Sequence, residues 1–131
     1  MLIEFSVTNY RSISERQTLN LAASEAYSEL ETTNTVADGF EAGTPKLLRS
    51  VAIYGPNASG KTTLIRALDF MQDCVLESAK ESQVGDPIDT APFKLTEKTR
   101  RSLSEFEVTF VEGGVRYEYG FACDESRFTE E

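Results

Sequence analysis

The chain has 131 residues, 40% of them hydrophobic and 27% charged, which suits one folded domain and excludes a multidomain protein. Its formal net charge of −9 argues against a broad basic surface that would cover nucleic acid or anionic lipid. No stretch approaches the roughly 20 apolar residues of a membrane span, and no signal-peptide pattern opens the chain, so we expect a cytoplasmic protein without a membrane partner.

Histidine is absent, and the two cysteines, Cys74 and Cys123, lie far apart. Metal cages, histidine-based catalytic triads and imidazole acid/base chemistry are therefore excluded within this chain. One disulfide is arithmetically allowed, but we expect two reduced and packed thiols.

The N-terminal residues predict a strand and a returning partner. Ile3, Phe5 and Val7 alternate with polar residues, which is typical of a half-buried strand. Residues 9–12 supply a turn, and residues 17–22 predict a second strand that pairs back.

Two irregular connections are predicted at residues 24–49 and 81–104. The first is rich in Ser, Glu, Thr, Ala and Gly, and Tyr27 and Phe40 are its candidate anchors. The second contains Gly85, Pro87 and Pro92, with a short element expected at residues 93–95.

Between these connections the pattern predicts a strand and then a helix. Residues 50–54 are almost uncharged, as in a strand buried on both faces of a sheet. Residues 62–80 carry apolar side chains at helical spacing, which predicts an amphipathic helix. Farther on, residues 106–110 and 115–121 alternate around Gly113 and Gly114, which predicts a β-hairpin.

The chemistry is concentrated in the loop between the predicted strand and helix. Its sequence matches G-x-x-x-x-G-K-[ST] at every fixed position, and its residues are Gly55, Pro56, Asn57, Ala58, Ser59, Gly60, Lys61 and Thr62. Glycines let successive backbone N–H groups point at phosphate oxygens, and the helix adds its positive N-terminal end. The alternative is an ordinary glycine-rich turn, but the flanking strand and helix favour a phosphate-binding loop (P-loop).

Within this loop, Lys61 is the candidate catalytic residue, because its charge would lie on the β- and γ-phosphates of ATP. The Thr62 hydroxyl is the candidate ligand of Mg²⁺, a cation that prefers oxygen. We therefore expect the chain to bind ATP with Mg²⁺.

Two segments resemble a known family. Residues 3–13, IEFSVTNYRSI, resemble the "hxhxNFRSh" start of the SMC/RecF-like ATPases, a branch of the ABC-type P-loop proteins, and residues 55–64, GPNASGKTTL, are similar to their "GxNxSGKSxLL" loop. Bacterial AAA-family ATP-binding proteins, related to the ATPase half of the overcoming-lysogenization-defect nucleases, also have counterparts of residues 92–95 and of the 106–121 hairpin. The resemblance thus spans most of the chain.

This resemblance implies further site residues. Asn57 belongs to the loop form that distinguishes ABC-type from GTPase-type P-loops, Thr63 joins the nucleotide-binding residues, and Arg11 lies near the phosphates. The chain departs from the family at Ala58, where many relatives have glycine and where a positive φ would bring strain, and at Thr62, which replaces serine and keeps the hydroxyl.

The resemblance also implies an α/β fold: an ABC-type N-terminal lobe with a mixed sheet, a P-loop helix and an antiparallel hairpin subdomain. ABC-type hydrolysis further needs a Walker B strand ending in Asp-Glu, a signature loop from a second subunit and a switch histidine. Residues 120–125, GFACDE, imitate a Walker B strand, but the alternation before them favours the hairpin, with Asp124 in solvent. We therefore interpret residues 1–131 as an incomplete N-terminal lobe.

Two functions stay open. In the first, the lobe belongs to an ATPase that forms a homodimer through ATP, couples hydrolysis to a DNA or RNA transaction in anti-phage defence, and works with a nuclease or effector partner. In the second, the chain is a self-contained P-loop phosphotransferase or a nucleotide-sensing module that does not hydrolyse ATP. The basic cluster of the chain is a candidate nucleic-acid contact or else an ordinary solvated loop, and its members are Lys94, Lys98, Arg100 and Arg101.

Overall fold

The computed structural model describes residues 1–24, 26, 31–36, 45–78, 88 and 90–130. In this part of the chain the strands are β1 (Leu2–Thr8), β2 (Gln17–Asn20), β3 (Thr35–Val36), β4 (Leu47–Leu48), β5 (Ser104–Glu112), β6 (Val115–Cys123) and β7 (Phe128–Glu130). The helices are α1 (Glu31–Asn34), α2 (Lys61–Ser78) and α3 (Glu97–Arg100).

The main sheet has five strands in the order β2-β1-β5-β6-β7, and each neighbouring pair is antiparallel. Both predicted hairpins are confirmed. β1 pairs with β2, and β5 pairs with β6 across Gly113 and Gly114, whose φ angles of 59° and 84° suit a glycine turn. The predicted mixed sheet is wrong for the described strands, because none of their pairs is parallel.

The principal core lies between this sheet and α2. Ala67 and Met71 of the helix are buried against strand residues that include Phe5 and Phe106. Tyr10, Phe70 and Phe106 form an aromatic cluster with ring centroids 5.1 to 5.6 Å apart. The predicted amphipathic helix is therefore confirmed as far as Ser78, and its apolar stripe attaches the P-loop to the sheet.

A β-bulge divides the apolar residues of β1 between two clusters. The pairing of β1 with β5 shifts register between Leu2 and Glu4. Phe5 and Val7 lie in the principal core, whereas Ile3 packs in a second cluster with Leu47 and Val111. Strict alternation would have kept Ile3 with Phe5 and Val7, and the extra residue of the bulge explains the difference.

The predicted buried strand at residues 50–54 is wrong. The segment forms no strand, and Val51, Ile53 and Tyr54 are 46%, 39% and 92% exposed. A strand buried on both faces needs hydrogen-bonded neighbours and covering layers, and none of the described strands pairs with this segment. Residues 51–54 are therefore apolar but exposed, because no described strand or helix packs over them.

The two predicted connections contain short elements. The 24–49 connection holds α1 and the β3–β4 pair. In the 81–104 connection a turn replaces the element expected at residues 93–95, and α3 follows, capped by the Thr96 side chain. The proposed anchors Tyr27 and Phe40, and the residues Gly85 and Pro87, lie outside the described residues.

Two further observations concern the cysteines and the length of the helices. Neither Cys74 nor Cys123 forms a disulfide within the described residues; Cys123 is buried and Cys74 is partly buried. Among the helices of the described segments, none is long and apolar enough to cross a membrane.

Candidate nucleotide site

The P-loop lies between the exposed segment 51–54 and the first turn of α2. Ser59 donates its backbone N–H to the Pro56 carbonyl at 3.3 Å, and Leu64 donates to the Gly60 carbonyl at 3.0 Å. Ala58 and Gly60 take positive φ angles of 62° and 89°. These two left-handed residues reverse the chain within the loop and lead it into the helix.

Glycine at position 55 leaves room for a neighbouring hydroxyl. A Cβ built there would lie 3.0 Å from the Ser59 Oγ, which is tighter than an ordinary van der Waals contact. At Gly60 the requirement is conformational, since its φ of 89° is one that residues with a side chain rarely adopt.

The Lys61 ammonium group folds back over the loop. Its Nζ donates to the carbonyl oxygens of Gly55 and Pro56 at 2.8 and 2.7 Å, and the Ser59 Oγ lies at 3.4 Å. None of the described carboxylates forms a salt bridge with it. The loop therefore concentrates an uncompensated positive charge held by neutral acceptors, which charged phosphate oxygens would replace with stronger hydrogen bonds.

A cleft of about 440 Å³ opens beside the loop, a size typical of small-molecule sites. One wall is the P-loop with Tyr54, and the facing wall is the turn between β1 and β2. The described residues that line it are Ser12, Ile13, Ser14, Gln17, Ile53, Tyr54, Ala58, Ser59, Gly60, Lys61 and Leu64. None of these residues is acidic.

Arg11 does not line this cleft among the described residues. Its Nε donates to the Tyr10 hydroxyl at 3.0 Å, and its guanidinium lies 5.4 Å from the centroid of the Tyr10 ring. Its backbone has a φ of 51°. The contact with phosphate that the resemblance implies would require the side chain to leave Tyr10.

Ser12 is a site residue that the sequence did not single out. Its Oγ lies 2.7 Å from the Thr63 Oγ1, so a hydroxyl–hydroxyl hydrogen bond joins the β1–β2 turn to the first turn of α2. Serine is an ordinary turn residue, and the two positions are 51 residues apart along the chain. Only its place in the N-Y-R-S segment distinguishes it in the sequence.

Asn9 is the second residue that sequence reasoning missed. It is 3% exposed, and its Nδ2 donates to the carbonyls of Thr99, Ser102 and Leu103 at 2.8 to 3.1 Å. Its Oδ1 accepts the Phe93 N–H at 3.0 Å. Asn9 therefore fixes the loop around α3, which carries the basic cluster, to the end of β1.

The prediction that Asp124 ends a hairpin strand is confirmed. It follows β6, which pairs antiparallel with β5. Its Oδ1 accepts hydrogen bonds from the Ser126 N–H and Oγ and from the Arg127 N–H, which closes a local turn. The hydrogen bonds from Ser126 are the main reason that the pKa of Asp124 is lowered.

The residues of the loop suit a magnesium–nucleotide complex better than a metal ion alone. Thr62 is exposed and follows Lys61 at the start of α2. Across the described residues, no group of three acidic, cysteine or histidine side chains could hold a metal. Magnesium commonly binds through one or two protein oxygens together with substrate phosphates, and Thr62 can supply one such oxygen.

Comparison with known families gives one match. Residues 50–131, more than half of the chain, match the family described as "AAA domain, putative AbiEii toxin, Type IV TA system". The comparisons with curated proteins and with solved structures found no match. The matched region includes the P-loop, α2 and the β5–β6 hairpin. AAA domains are P-loop domains that bind ATP, which agrees with the geometry of the loop. The chain therefore belongs to this AAA-domain family of P-loop ATPases.

Proposed function

We propose that this chain is the ATP-binding lobe of an SMC/RecF-like, ABC-type ATPase, which uses ATP-driven dimerisation and hydrolysis to act on nucleic acid in anti-phage defence. The observation that carries the proposal is the uncompensated Lys61 ammonium within the P-loop at the start of α2. The N-Y-R-S turn facing this loop supports the SMC/RecF-like branch.

Two features support the role of an N-terminal lobe over residues 1–131. The cleft has no acidic side chain among its described lining residues, although phosphoryl transfer needs a group that orients the attacking water. Val51 and Ile53 precede the loop and are exposed, as expected where further strands of a larger ATPase domain would pack. In this proposal, the missing catalytic groups come from the rest of the ATPase and from a second subunit bound through ATP.

The basic cluster supports a nucleic-acid partner. All four of its side chains are exposed, and none forms a salt bridge with a described residue: Lys94, Lys98, Arg100 and Arg101. Asn9 fixes the loop that carries them to the same turn that contacts the P-loop helix. Phosphate groups of DNA or RNA are the partner of matching charge.

A role in defence rests on resemblance and on the family description. The overcoming-lysogenization-defect nucleases pair a similar ATPase half with a nuclease, and the family description names a toxin of a type IV toxin–antitoxin system. We therefore propose a nuclease or another effector as the partner.

Calorimetric titration of the full chain with ATP and Mg²⁺ tests the nucleotide site. We expect the wild type to bind and Lys61→Ala to lose binding, because charge-assisted hydrogen bonds to phosphate contribute most strongly. Equal affinity of the two proteins would overturn the proposed site. Binding without any ATP turnover in the protein with its partners would favour the nucleotide-sensing alternative.

Fluorescence anisotropy with labelled DNA and RNA tests the partner. Arg101→Glu should weaken binding severalfold and lower its salt dependence. Arg66→Glu, the same charge reversal at an exposed position of α2, is the matched control and should have a smaller effect. Equal effects of the two variants would mean that only net charge affects binding, and this would contradict the proposal that the basic cluster contacts nucleic acid.

A further inference from the structure

We propose that Ser12 is a positioning residue for the nucleotide site, because it holds the first turn of α2 against the β1–β2 turn through Thr63. The proposal rests on the proposed nucleotide site. Its basis is the 2.7 Å contact between the Ser12 Oγ and the Thr63 Oγ1.

The turn that carries Ser12 is rigid for two reasons. Tyr10 and Ile13 exchange backbone hydrogen bonds in both directions, each 2.8 Å long, around the intervening residues. Their side chains are 1% and 7% exposed and belong to the principal core. Ser12 therefore projects from a turn that is anchored to the sheet on both sides.

Thr63 lies where a small displacement matters. It is the third residue of α2, so its backbone N–H is one of the first four that have no acceptor within the helix. These groups and the helix dipole form the anion-binding end of the helix. A Cβ built on Gly60 would lie 3.9 Å from the Ser12 Oγ, which places Ser12 beside the last glycine of the loop as well.

Ser12 therefore pre-organises the loop for phosphate. In the first turn of α2, Leu64 packs against the principal core but is only partly buried, and the fully buried residues begin one turn later, at Ala67. The contact between Ser12 and Thr63 therefore adds to a turn that the core holds less fully than the rest of the helix. When the hydroxyl pair is absent, ordering the first turn becomes part of the cost of binding. The loss expected from one hydrogen bond of this kind is roughly three- to tenfold in affinity.

The chain offers a matched control. The Ser6 Oγ and the Thr18 Oγ1 form the same kind of hydroxyl pair, 2.9 Å apart, between β1 and β2. Thr18 is exposed and does not line the cleft. Thr18→Val thus removes a hydroxyl–hydroxyl hydrogen bond from the same hairpin without touching the proposed site. This pair is the more buried of the two, since Ser6 is 2% exposed, so its loss should affect stability at least as much.

The experiment is calorimetric titration of the full chain with ATP and Mg²⁺, together with hydrogen exchange of the backbone amides of residues 58–63. We expect Ser12→Ala and Thr63→Val each to weaken binding roughly three- to tenfold and to speed exchange in the loop. The double variant should be no weaker than either single variant. Ser12→Thr should retain affinity, and Thr18→Val should bind as the wild type does.

Wild-type affinity in Ser12→Ala would overturn the inference, as would full additivity in the double variant or an equal loss in Thr18→Val. In those cases a loss of binding in Lys61→Ala would still support the proposed nucleotide site. Failure of the wild type itself to bind ATP would overturn both proposals.

Discussion

Ala58 occupies a backbone conformation that favours glycine. Its φ is 62°, and the left-handed region costs a residue with a Cβ about 1 to 2 kcal/mol. Glycine relieves this strain but adds about 0.5 to 1 kcal/mol of chain entropy in the unfolded state. We expect Ala58→Gly to raise the free energy of unfolding by up to about 1 kcal/mol, measured by urea denaturation.

The control for this prediction is Ala67→Gly. Ala67 is buried within α2, where glycine costs helix stability and packing, so the free energy of unfolding should fall by about 1 kcal/mol or more. Equal destabilisation by both substitutions would show that position 58 is not strained. The resemblance drew attention to position 58, because many relatives have glycine there. That the position is strained could be concluded only from the positive φ in the structure.

Cys123 should be an unreactive thiol in the folded protein. Burial raises its pKa from 9.0 to about 11, although a hydrogen bond with Thr90 acts in the opposite direction. The reactive thiolate is therefore scarce near pH 8, and alkylation by iodoacetamide should be much slower than in urea-unfolded chain.

The same raised pKa predicts how stability changes with pH. The unfolded chain ionises its thiol at lower pH than the folded chain does, so this contribution to stability is present below about pH 9 and decreases as pH rises toward 11. A shallower decrease in Cys123→Ala, followed by urea denaturation across this range, is the expected outcome. In the alkylation experiment, fast reaction of Cys123 in the native protein would contradict the prediction of an unreactive thiol.

At the scale of elements, the β5–β6 hairpin contains a close backbone approach at Gly120. Gly120 pairs with Glu107, and a Cβ there would lie 2.9 Å from the Phe106 carbonyl oxygen and 3.0 Å from the Glu107 Cγ. We expect Gly120→Ala to lower the free energy of unfolding by about 1 to 3 kcal/mol, because the strand must shift to admit the methyl group. Urea denaturation measures the change.

Gly113→Asn is the contrasting variant for the hairpin. Gly113 has a φ of 59° and no neighbouring atom within 4 Å of an added Cβ, and asparagine tolerates this conformation better than most residues. The substitution should change stability by less than Gly120→Ala does. The reverse order would indicate that turn conformation, and not the close contact, limits the hairpin.

The strands and the helix that the sequence predicted correctly are those that a pattern of neighbouring residues defines. Alternation defined β5 and β6, and helical spacing defined α2, because each pattern repeats within a few residues. Asn9 could not be predicted in this way, since its partners Thr99, Ser102 and Leu103 lie 90 to 94 residues away along the chain. Residues 50–54 show the converse: an apolar run predicts burial, but only neighbouring strands can provide it.

At the scale of the whole molecule, the candidate nucleotide cleft is formed by the P-loop together with the turn between β1 and β2. The P-loop motif could be predicted from the sequence because phosphate binding fixes the spacing of glycine, lysine and hydroxyl residues in loops of this kind. The facing wall, with Ser12 and Gln17, depended on packing β1 and β2 beside α2, which no local pattern specifies. The nucleotide cleft therefore depends on the whole fold, although its charged residue, Lys61, was visible in the sequence.

This arrangement predicts that the chain alone binds ATP but hydrolyses it negligibly. Phosphoryl transfer depends on positioning the attacking water and stabilising charge, and none of the described residues that line the cleft is acidic. Asp124 cannot supply the missing carboxylate in this conformation, since it closes its own turn after β6. Steady-state phosphate release from the purified chain should equal the release measured with Lys61→Ala. That variant serves as the control for contaminating ATPases. Sustained turnover that Lys61→Ala abolishes would refute the lobe assignment and favour a self-contained enzyme.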